Sequence, residues 1–448
     1  MQRSRPSLFH SAAASVLSAL AIGALGGCSA AAGLGTTPNV AHATAGVRAP
    51  AARRRATTPI DHVVIVIQEN RSFDNLFQGY PGANTQSYGL DSQGNDVPLK
   101  PVGFTGKVPS VIHTLRGFLG DYDNGNLDGW DTVTKKDAAY SYVPAAQVQP
   151  YLVMARQYVL ADEMFASNID ASFVAHQYLI AGQSNDEVDF PQGAWGCNSH
   201  GKTDLIYQLT AQRTYGAQVP VCQNPQTLGD ELDSAGVSWH FYAAATMGSI
   251  WSAYQAVSHI YNGPDWTSDV VTPSSQFLAD VSNPSKPYLA NVTWITPTFT
   301  NSDHQGSKSA TGPTWVASVV NAVGQSQFWD STVIFVVWDD WGGWYDHVPP
   351  PQLDLDGLGF RVPLLCISPY AQQGVVNHTQ LEFGSILRFV ENNWSLGQLA
   401  ASDSRATPAD TGCLNYSQAP RTFVPIASVH PASFFLRQPQ SAQPPDDD

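Results

Sequence analysis

The sequence predicts an α/β protein built as a three-layer sandwich around a mainly parallel central sheet. Short apolar runs rich in β-branched residues alternate along the chain with helical patterns. These runs are apolar at consecutive positions, which is typical of strands covered on both faces. Charged residues make up only 13% of the 448 and aromatic residues 11%, so the chain has the apolar material for a large core and not the composition of a disordered protein.

Six apolar runs are predicted to be strands: residues 63–67, 158–160, 237–242, 291–295, 333–338 and 363–368. Apolar residues at helical spacing predict helices over residues 314–323 and 379–394. Ser72 precedes "FDNLF" and is expected to cap a short helix there.

The two ends of the chain are predicted to lie outside one folded domain of residues 59–436. Residues 1–27 indicate a bacterial lipoprotein signal peptide, in which "LGGC" ends at Cys28, the residue that would carry the lipid. Ordinary signal cleavage near "SAAAG" is the alternative, and both predict export, with the protein lipid-anchored, periplasmic or secreted. Residues 28–58 are predicted to be a flexible Ala/Thr/Pro-rich tether and residues 437–448 a flexible tail.

The net charge argues against one class of partner, and the positions of the cysteines indicate which of them pair. The net charge of -15, from 37 acidic and 22 basic residues, argues against a nucleic-acid partner, because phosphate binding needs basic surface. Cys197 and Cys222 both lie in loop-like sequence and are the more favoured pair in an exported protein. Cys366 lies inside an apolar run, so a buried thiol is a serious alternative to its pairing with Cys413.

Acidic residues follow two of the predicted strands at the point where each strand ends. Glu69 and Asn70 follow residues 63–67, and Asp339 and Asp340 follow residues 333–337. Parallel strands would bring these side chains to one sheet edge, where clustered carboxylates repel unless a cation intervenes. Their oxygens suit Ca, Mg or Mn. The alternative is that each acid caps its own turn. The pair Gly342–Gly343 indicates a close backbone approach or a turn with positive φ.

Four stretches resemble the bacterial phospholipase C/acid phosphatase family of phosphoesterases over residues 60–396. They read "ENRSFDNLFQGYPG", "WDDWGGWYDHVPPP", "GFRVPLLCISPYA" and "NHTQLEFGSILRFVENNW". The resemblance implies an alkaline-phosphatase-like fold. It also implies a divalent metal held by Glu69, Asn70, Asp339 and Asp340.

The resemblance places the nucleophile at Ser172, itself near the metal. Alignment on the following "YL" and Gly182 gives this position, and Ser167 is the alternative. The chain departs from the family here: phospholipase members usually carry a Pro-Asn-Arg run where this chain has residues 174–176, Val-Ala-His. A serine near a divalent cation can attack phosphorus because coordination stabilises its alkoxide.

Three histidines are candidate catalytic residues, in the order His304, His113 and His240. The first two resemble family histidines, and His304 is expected to protonate the leaving group. A lone histidine in an apolar strand, as at His240, more often has a structural role. His347 is expected to orient its loop and His378 to lie in a loop or cap.

The sequence therefore predicts an exported metal-dependent phosphoric-ester hydrolase that forms a phosphoseryl intermediate, most of all an acid-phosphatase-like phosphomonoesterase. A phospholipase C that cleaves phospholipid phosphodiesters is the alternative, and a non-catalytic ligand-binding surface lipoprotein is the alternative of another class. The expected partners are a small phosphate ester or a phospholipid head group, and a membrane through a lipid at Cys28. A sulfatase is disfavoured, since we find no Cys/Ser-x-Pro-x-Arg motif.

Overall fold

Eight strands form the central sheet, and the two that carry the predicted acidic residues are neighbours at its middle. The structure is a computed structural model that describes residues 54–105, 109–192, 195–198, 205–244 and 250–439. The predicted signal peptide, Cys28, most of the predicted tether and residues 440–448 lie outside the described residues.

The strands in chain order are β1 (His62–Gln68), β2 (Tyr88–Leu90), β3 (Asp96–Pro98), β4 (Lys100–Pro101), β5 (Ser141–Tyr142), β6 (Val159–Ala161), β7 (Met164–Phe165), β8 (Glu187–Gln192), β9 (Leu205–Leu209), β10 (Tyr215–Pro220), β11 (Trp239–Tyr242), β12 (Val270–Val271), β13 (Val292–Ile295), β14 (Thr332–Trp338), β15 (Leu364–Ile367), β16 (Val375–Asn377) and β17 (Leu381–Glu382). The α-helices are α1 (Phe73–Phe77), α2 (Leu115–Tyr122), α3 (Trp130–Val133), α4 (Gln149–Gln157), α5 (Ser172–Ala181), α6 (Leu228–Ala235), α7 (Ser258–Tyr261), α8 (Asp265–Ser268), α9 (Gln276–Val281), α10 (Gly312–Gly324), α11 (Phe383–Trp394), α12 (Ala401–Arg405) and α13 (Ala432–Phe435).

The central sheet has the order β12-β11-β13-β1-β14-β15-β6-β16, and it confirms the predicted mainly parallel α/β architecture. β15 is the exception, because it runs antiparallel to both of its neighbours. All six predicted runs overlap a strand of this sheet, whereas β12 and β16, of two and three residues, were not predicted. The predicted helices correspond to α10 and α11, and Ser72 caps α1 by accepting a hydrogen bond from the backbone N–H of Asn75.

Helices cover both faces of the sheet, as continuous apolar strands require. On β14, Phe335 packs against Phe389 of α11, while Trp338 packs edge-on against Tyr151 of α4. Residues three apart on a strand point to opposite faces, so α11 and α4 lie on opposite sides of the sheet. α10 contacts α4 and α9, and α11 contacts α5 and α12, so these six helices form two groups, one containing α4 and the other α11.

The described residues all fall within one compact unit, and contacts at its two ends extend beyond the predicted domain bounds. Arg54 and Thr57 donate backbone hydrogen bonds to the carbonyls of Ala235 and Asn393. At the other end Gln438 accepts a hydrogen bond of 2.7 Å from the side chain of Asn301. Within the part of the chain that the structure describes, no helix combines the length and the apolar character needed to span a membrane.

The cysteines divide as their sequence context predicts. Cys197 and Cys222 form a disulfide, which confirms the favoured pair. Cys366 and Cys413 are both buried free thiols, in agreement with the alternative of a buried thiol at Cys366.

Candidate active site at the carboxyl ends of the central strands

The acidic residues that follow β1 and β14 lie side by side. The two strands pair in parallel, with Gln68 opposite Trp338, and the ladder continues as the backbone N–H of Asp339 donates to the carbonyl of Gln68. Glu69 and Asp340, one and two residues further along, are therefore brought to the same edge of the sheet. Both carboxylates are fully buried, as is that of Asp339.

Asn70 ties the two strand ends together. Its backbone has a φ of 54°, a left-handed conformation that turns the chain immediately after the strand. Its N–H donates to Asp339 Oδ1 at 2.8 Å, and its side-chain Nδ2 donates to Asp340 Oδ2 at 3.0 Å and to Ser172 Oγ at 3.0 Å. One residue thus fixes the positions of two carboxylates and a hydroxyl, through its backbone N–H and its side-chain amide.

The turn after Asp340 passes very close to Asn70. Gly342 and Gly343 have φ values of 64° and 73°, and a Cβ added at Gly342 would lie 2.1 Å from the carbonyl oxygen of Asn70. Both reasons predicted for the glycine pair, positive φ and close backbone approach, are confirmed.

Ser172 opens helix α5 beside this cluster. Its Oγ lies 3.2 Å from Asp340 Oδ2, to which it donates, and the side chain is buried. Ser167, the alternative, has other partners: it donates to Glu382 Oε2 and accepts from Ser402. The structure therefore brings Ser172, and not Ser167, to the strand-end carboxylates.

A histidine that the sequence analysis did not single out completes the cluster. His176 Nε2 lies 3.1 Å from Glu69 Oε1 and 3.9 Å from Asp339 Oδ2, and its ring is fully buried. It follows Ser172 by four residues on α5, so both side chains lie on one face of the helix. This spacing of four residues from the predicted nucleophile is the signal in the sequence that could have identified His176 as a site residue. Burial lowers the pKa of His176 to about 4, against the opposing effect of Asp339, so the ring is neutral at pH 7.

His113 and His304 lie together near the cluster. Their ring centroids are 5.8 Å apart in an edge-on arrangement, and both side chains are buried. His113 is close enough to Asp340 for its charge to oppose the rise in the pKa of that carboxyl. The Nδ1 of His304 accepts the backbone N–H of Gly306 at 3.0 Å, which places the proton of the neutral ring on Nε2.

The structure does not bring His240 to this cluster. It sits on β11 opposite Thr293 of β13, which is in turn opposite Val64 of β1, five residues before Glu69. Its Nδ1 lies 3.2 Å from the hydroxyl of Tyr242, and its ring contacts that of Tyr288. These contacts agree with the structural role that a lone histidine in an apolar strand usually has.

His347 and His378, the other two histidines discussed from the sequence, also lie outside this cluster. His347 contacts the carboxylate of Asp74 and the side chain of Asn84. His378 is exposed and lies 2.9 Å from Asp162.

A second group of acidic side chains is already neutralised by an arginine. Asp74, Asp346 and His347 could hold an ion by their spacing alone. The buried guanidinium of Arg361, however, donates to both oxygens of Asp346, at 2.8 and 3.1 Å, and lies 3.7 Å from Asp74. This network links the segments that follow the two acidic motifs and needs no added cation.

The strand-end cluster, by contrast, has uncompensated negative charge. Burial raises the pKa of Asp340 well above its usual range, and the neighbouring Asp339 raises it further. Among the described residues, Asp339 Oδ2 and Asn70 Oδ1 are buried without a hydrogen-bond donor. Oxygens of this kind are ligands for a divalent cation, and one ligand atom each of Glu69, His176 and Asp339 lies within 4.8 Å of the other two. The residues therefore fit the metal that the resemblance implies.

An α/β sheet with clustered carboxylates and a serine at the carboxyl ends of its middle strands is the arrangement expected of a phosphoesterase. The chain belongs to the Phosphoesterase family, whose sequence model matches residues 60–397.

Curated relatives carry the name phospholipase C. The non-hemolytic phospholipase C of Pseudomonas aeruginosa is 24% identical over 407 residues, covering 78% of this chain and 56% of the relative. Phospholipase C B of Mycobacterium tuberculosis is 24% identical over 399 residues, covering 74% and 73%. The non-specific phospholipase C6 of Arabidopsis thaliana is 24% identical over 372 residues, covering 71% and 63%. The chain thus spans little more than half the length of the Pseudomonas protein.

Among solved structures, a protein of the alkaline phosphatase superfamily from Vibrio parahaemolyticus is similar with a TM-score of 0.35 and 11% identity. The match covers 76% of this chain and 66% of that protein.

Proposed function

We propose that this chain hydrolyses phosphoric esters with Ser172 as the nucleophile and a phosphoseryl intermediate. The observation that supports this most directly is the position of Ser172 Oγ, which is hydrogen-bonded to both Asn70 and Asp340 beside the buried carboxylates. A hydroxyl that only capped or packed a helix would not need a buried carboxylate as its hydrogen-bond acceptor.

The strand-end residues and the serine would hold the divalent cation, namely Glu69, Asn70, Ser172, Asp339 and Asp340. When bound, this ion supplies positive charge that stabilises the serine alkoxide and the phosphoryl oxygens. The protein itself supplies position: Asn70 fixes Ser172 and Asp340 relative to each other, so the nucleophile is aligned before the substrate arrives.

In the first step the Oγ–P bond forms as the bond from phosphorus to the leaving oxygen breaks. The proton of Ser172 passes to Asp340 Oδ2, which already accepts its hydrogen bond. The leaving oxygen takes a proton from a histidine. In the second step water attacks the phosphoserine, its proton returns to that histidine, and Ser172 regains its own from Asp340.

The two nearby histidines have different roles in this proposal. His304 was expected to be the acid, but its Nδ1 accepts from Gly306, and a second ring proton would have to displace that contact. We therefore assign His304 as a neutral hydrogen-bond donor to a phosphoryl oxygen through Nε2. In this proposal the proton source is His113, whose ring lies beside that of His304 and near the carboxylate of Asp340.

For the substrate we propose a small phosphomonoester, with phospholipase C activity as the second candidate. The monoester is supported by the deep burial of Ser172 and by the loss of the Pro-Asn-Arg run that phospholipase members usually carry. His240 does not bear on this choice, because that residue lies away from the cluster. The curated phospholipase C relatives favour the second candidate.

The deciding experiment combines a substrate panel with Ser172→Ala. The panel compares p-nitrophenyl phosphate, p-nitrophenylphosphorylcholine and phosphatidylcholine, with and without chelator. We expect chelator-sensitive turnover, fastest for the monoester, and a loss on the order of 10³-fold or more in Ser172→Ala. The matched control is Ser318→Ala, which removes another buried helical serine whose hydroxyl donates to the carbonyl of Trp315.

Acid-quenched turnover should leave one phosphoryl group on the peptide that contains Ser172. Full activity in Ser172→Ala would refute the mechanism, and preference for phosphatidylcholine would select phospholipase C. Correctly folded protein without turnover of any ester would favour the ligand-binding lipoprotein.

We also propose that the protein is exported. The Cys197–Cys222 disulfide supports this, since such bonds persist in oxidising compartments. Metabolic labelling with a radioactive fatty acid, in the wild type and in Cys28→Ala, tests the lipid anchor, and label in both proteins or in neither would reject it.

A further inference from the structure

His176 is the one nitrogen donor among the oxygen donors of the strand-end cluster. Helix α5 carries it one turn after Ser172, so the ring points to the same edge of the sheet as the serine hydroxyl. The ring is fully buried, and the nearest charged atoms to its Nε2 are Glu69 Oε1 at 3.1 Å and Asp339 Oδ2 at 3.9 Å.

A purely structural role does not account for these contacts. One imidazole N–H can satisfy Glu69, but the distance of 3.9 Å leaves Asp339 Oδ2 without a donor among the described residues. A buried carboxylate oxygen that lacks a donor is costly. A cation between Glu69, His176 and Asp339, whose ligand atoms lie within 4.8 Å of one another, would satisfy all three.

We propose that His176 is a nitrogen ligand of the metal ion and that it makes the site selective for a first-row transition dication, such as Mn²⁺, over Mg²⁺ and Ca²⁺. This inference rests on the proposed function in one respect, that the strand-end cluster holds a metal. Mg²⁺ and Ca²⁺ are bound by oxygen ligands, whereas imidazole is a ligand of first-row transition metals, among which the affinity of a given site is lowest for Mn²⁺ and rises towards Cu²⁺. The ligand set would differ from the all-oxygen set that the family resemblance implies.

Pulsed electron paramagnetic resonance of bound Mn²⁺ provides a test that does not depend on turnover. The full chain is stripped with chelator, loaded with Mn²⁺, and examined for modulation of the electron spin echo by a coordinated ¹⁴N nucleus. We expect this modulation in the wild type and its loss in His176→Gln, because glutamine retains a donor for Glu69 but has no imidazole nitrogen. His113→Gln and His304→Gln are the matched controls, and both should keep the modulation.

Equilibrium binding gives the second readout. We expect Mn²⁺ affinity to fall by about 10- to 100-fold in His176→Gln, the range seen when groups supporting a metal site are removed. In the wild type, Mg²⁺ and Ca²⁺ should displace Mn²⁺ poorly, and they should compete better in the variant. Should His176→Gln fail to fold, wild-type protein with ¹⁵N-labelled histidine shows whether the modulation comes from a histidine. The His113 and His304 variants then assign it to His176 by retaining it.

The outcomes separate the two proposals. Mn²⁺ bound without nitrogen modulation, or with modulation that survives in His176→Gln, overturns the role of His176 and leaves the phosphoesterase proposal standing. Displacement of Mn²⁺ by equimolar Mg²⁺ or Ca²⁺ overturns the selectivity. Folded wild-type protein that binds none of these ions overturns both the inference and the metal-dependent mechanism.

Discussion

Replacing Gly342 with alanine should damage both the stability of the fold and the geometry of the site. The residue has a φ of 64°, which costs an L-residue about 1 to 2 kcal/mol. The new Cβ would lie 2.1 Å from the carbonyl oxygen of Asn70, about 1 Å closer than a normal contact, and overpacking of this kind costs roughly 1 to 3 kcal/mol. We therefore expect Gly342→Ala to lower the free energy of unfolding by about 2 to 5 kcal/mol in total.

The control variant Gly94→Ala separates the cost of the positive φ from the cost of the steric clash. Gly94 has a φ of 77° and no atom within 4 Å of an added Cβ, so its substitution carries the backbone cost without the collision. Urea unfolding followed by tryptophan fluorescence should show a loss about 1 to 3 kcal/mol greater for Gly342→Ala than for this control. Because Asn70 positions Ser172, a shift of about 1 Å should also lower kcat/KM by about 10²-fold, with no change in the control. Equal stability losses in the two variants, together with unchanged turnover, would show that the Gly342–Asn70 approach does not organise the site.

Two further substitutions test charge burial and covalent linkage. Burial, and then the adjacent Asp403, raise the pKa of Glu391 to about 9, so the native state binds a proton that the unfolded state releases above pH 4.5. This difference in proton binding lowers the free energy of unfolding. The loss is absent below pH 4.5, grows as the pH rises to 9 and levels off there. At pH 7 it is about 3 kcal/mol, or about half that if Asp403 shares the proton. Glu391→Gln should therefore raise the melting temperature at pH 8 but not at pH 4, and an equal rise at both would contradict the assignment. Replacing Cys197 and Cys222 with serine removes a disulfide between residues 25 positions apart. We expect the free energy of unfolding, measured in urea under non-reducing conditions, to fall by about 3 kcal/mol. An unchanged urea midpoint would mean that the unfolded chain gains no conformational freedom when the disulfide is removed.

The sequence predicts the middle of the sheet well because each central strand is a local pattern. β1 and β14 are buried along almost their whole length, so their residues are apolar at consecutive positions. The edge strands β12 and β16 are too short and too open to show such a pattern. The antiparallel direction of β15 is set by its connections and by its neighbours, and nothing in its own residues encodes it.

Site residues, too, can be predicted from the sequence only where a local pattern marks them. Glu69 and Asp340 are recognisable because a charged residue interrupts an apolar run at the end of a strand. His176 lies in α5, in which every residue is buried, so no polar face distinguishes the histidine from a core position. Its neighbours Glu69 and Asp339 come from distant segments, and such proximity can be inferred from a sequence only when the strand order is already known.

The position of β1 between β13 and β14 has a consequence for how the protein is made. The hydrogen bond from Asn70 to Asp339 joins residues 269 positions apart, so the first strand to leave the ribosome must wait for one of the last to be synthesised. The strand-end cluster can therefore assemble only after residue 340 has been synthesised, which makes its formation a late event in folding.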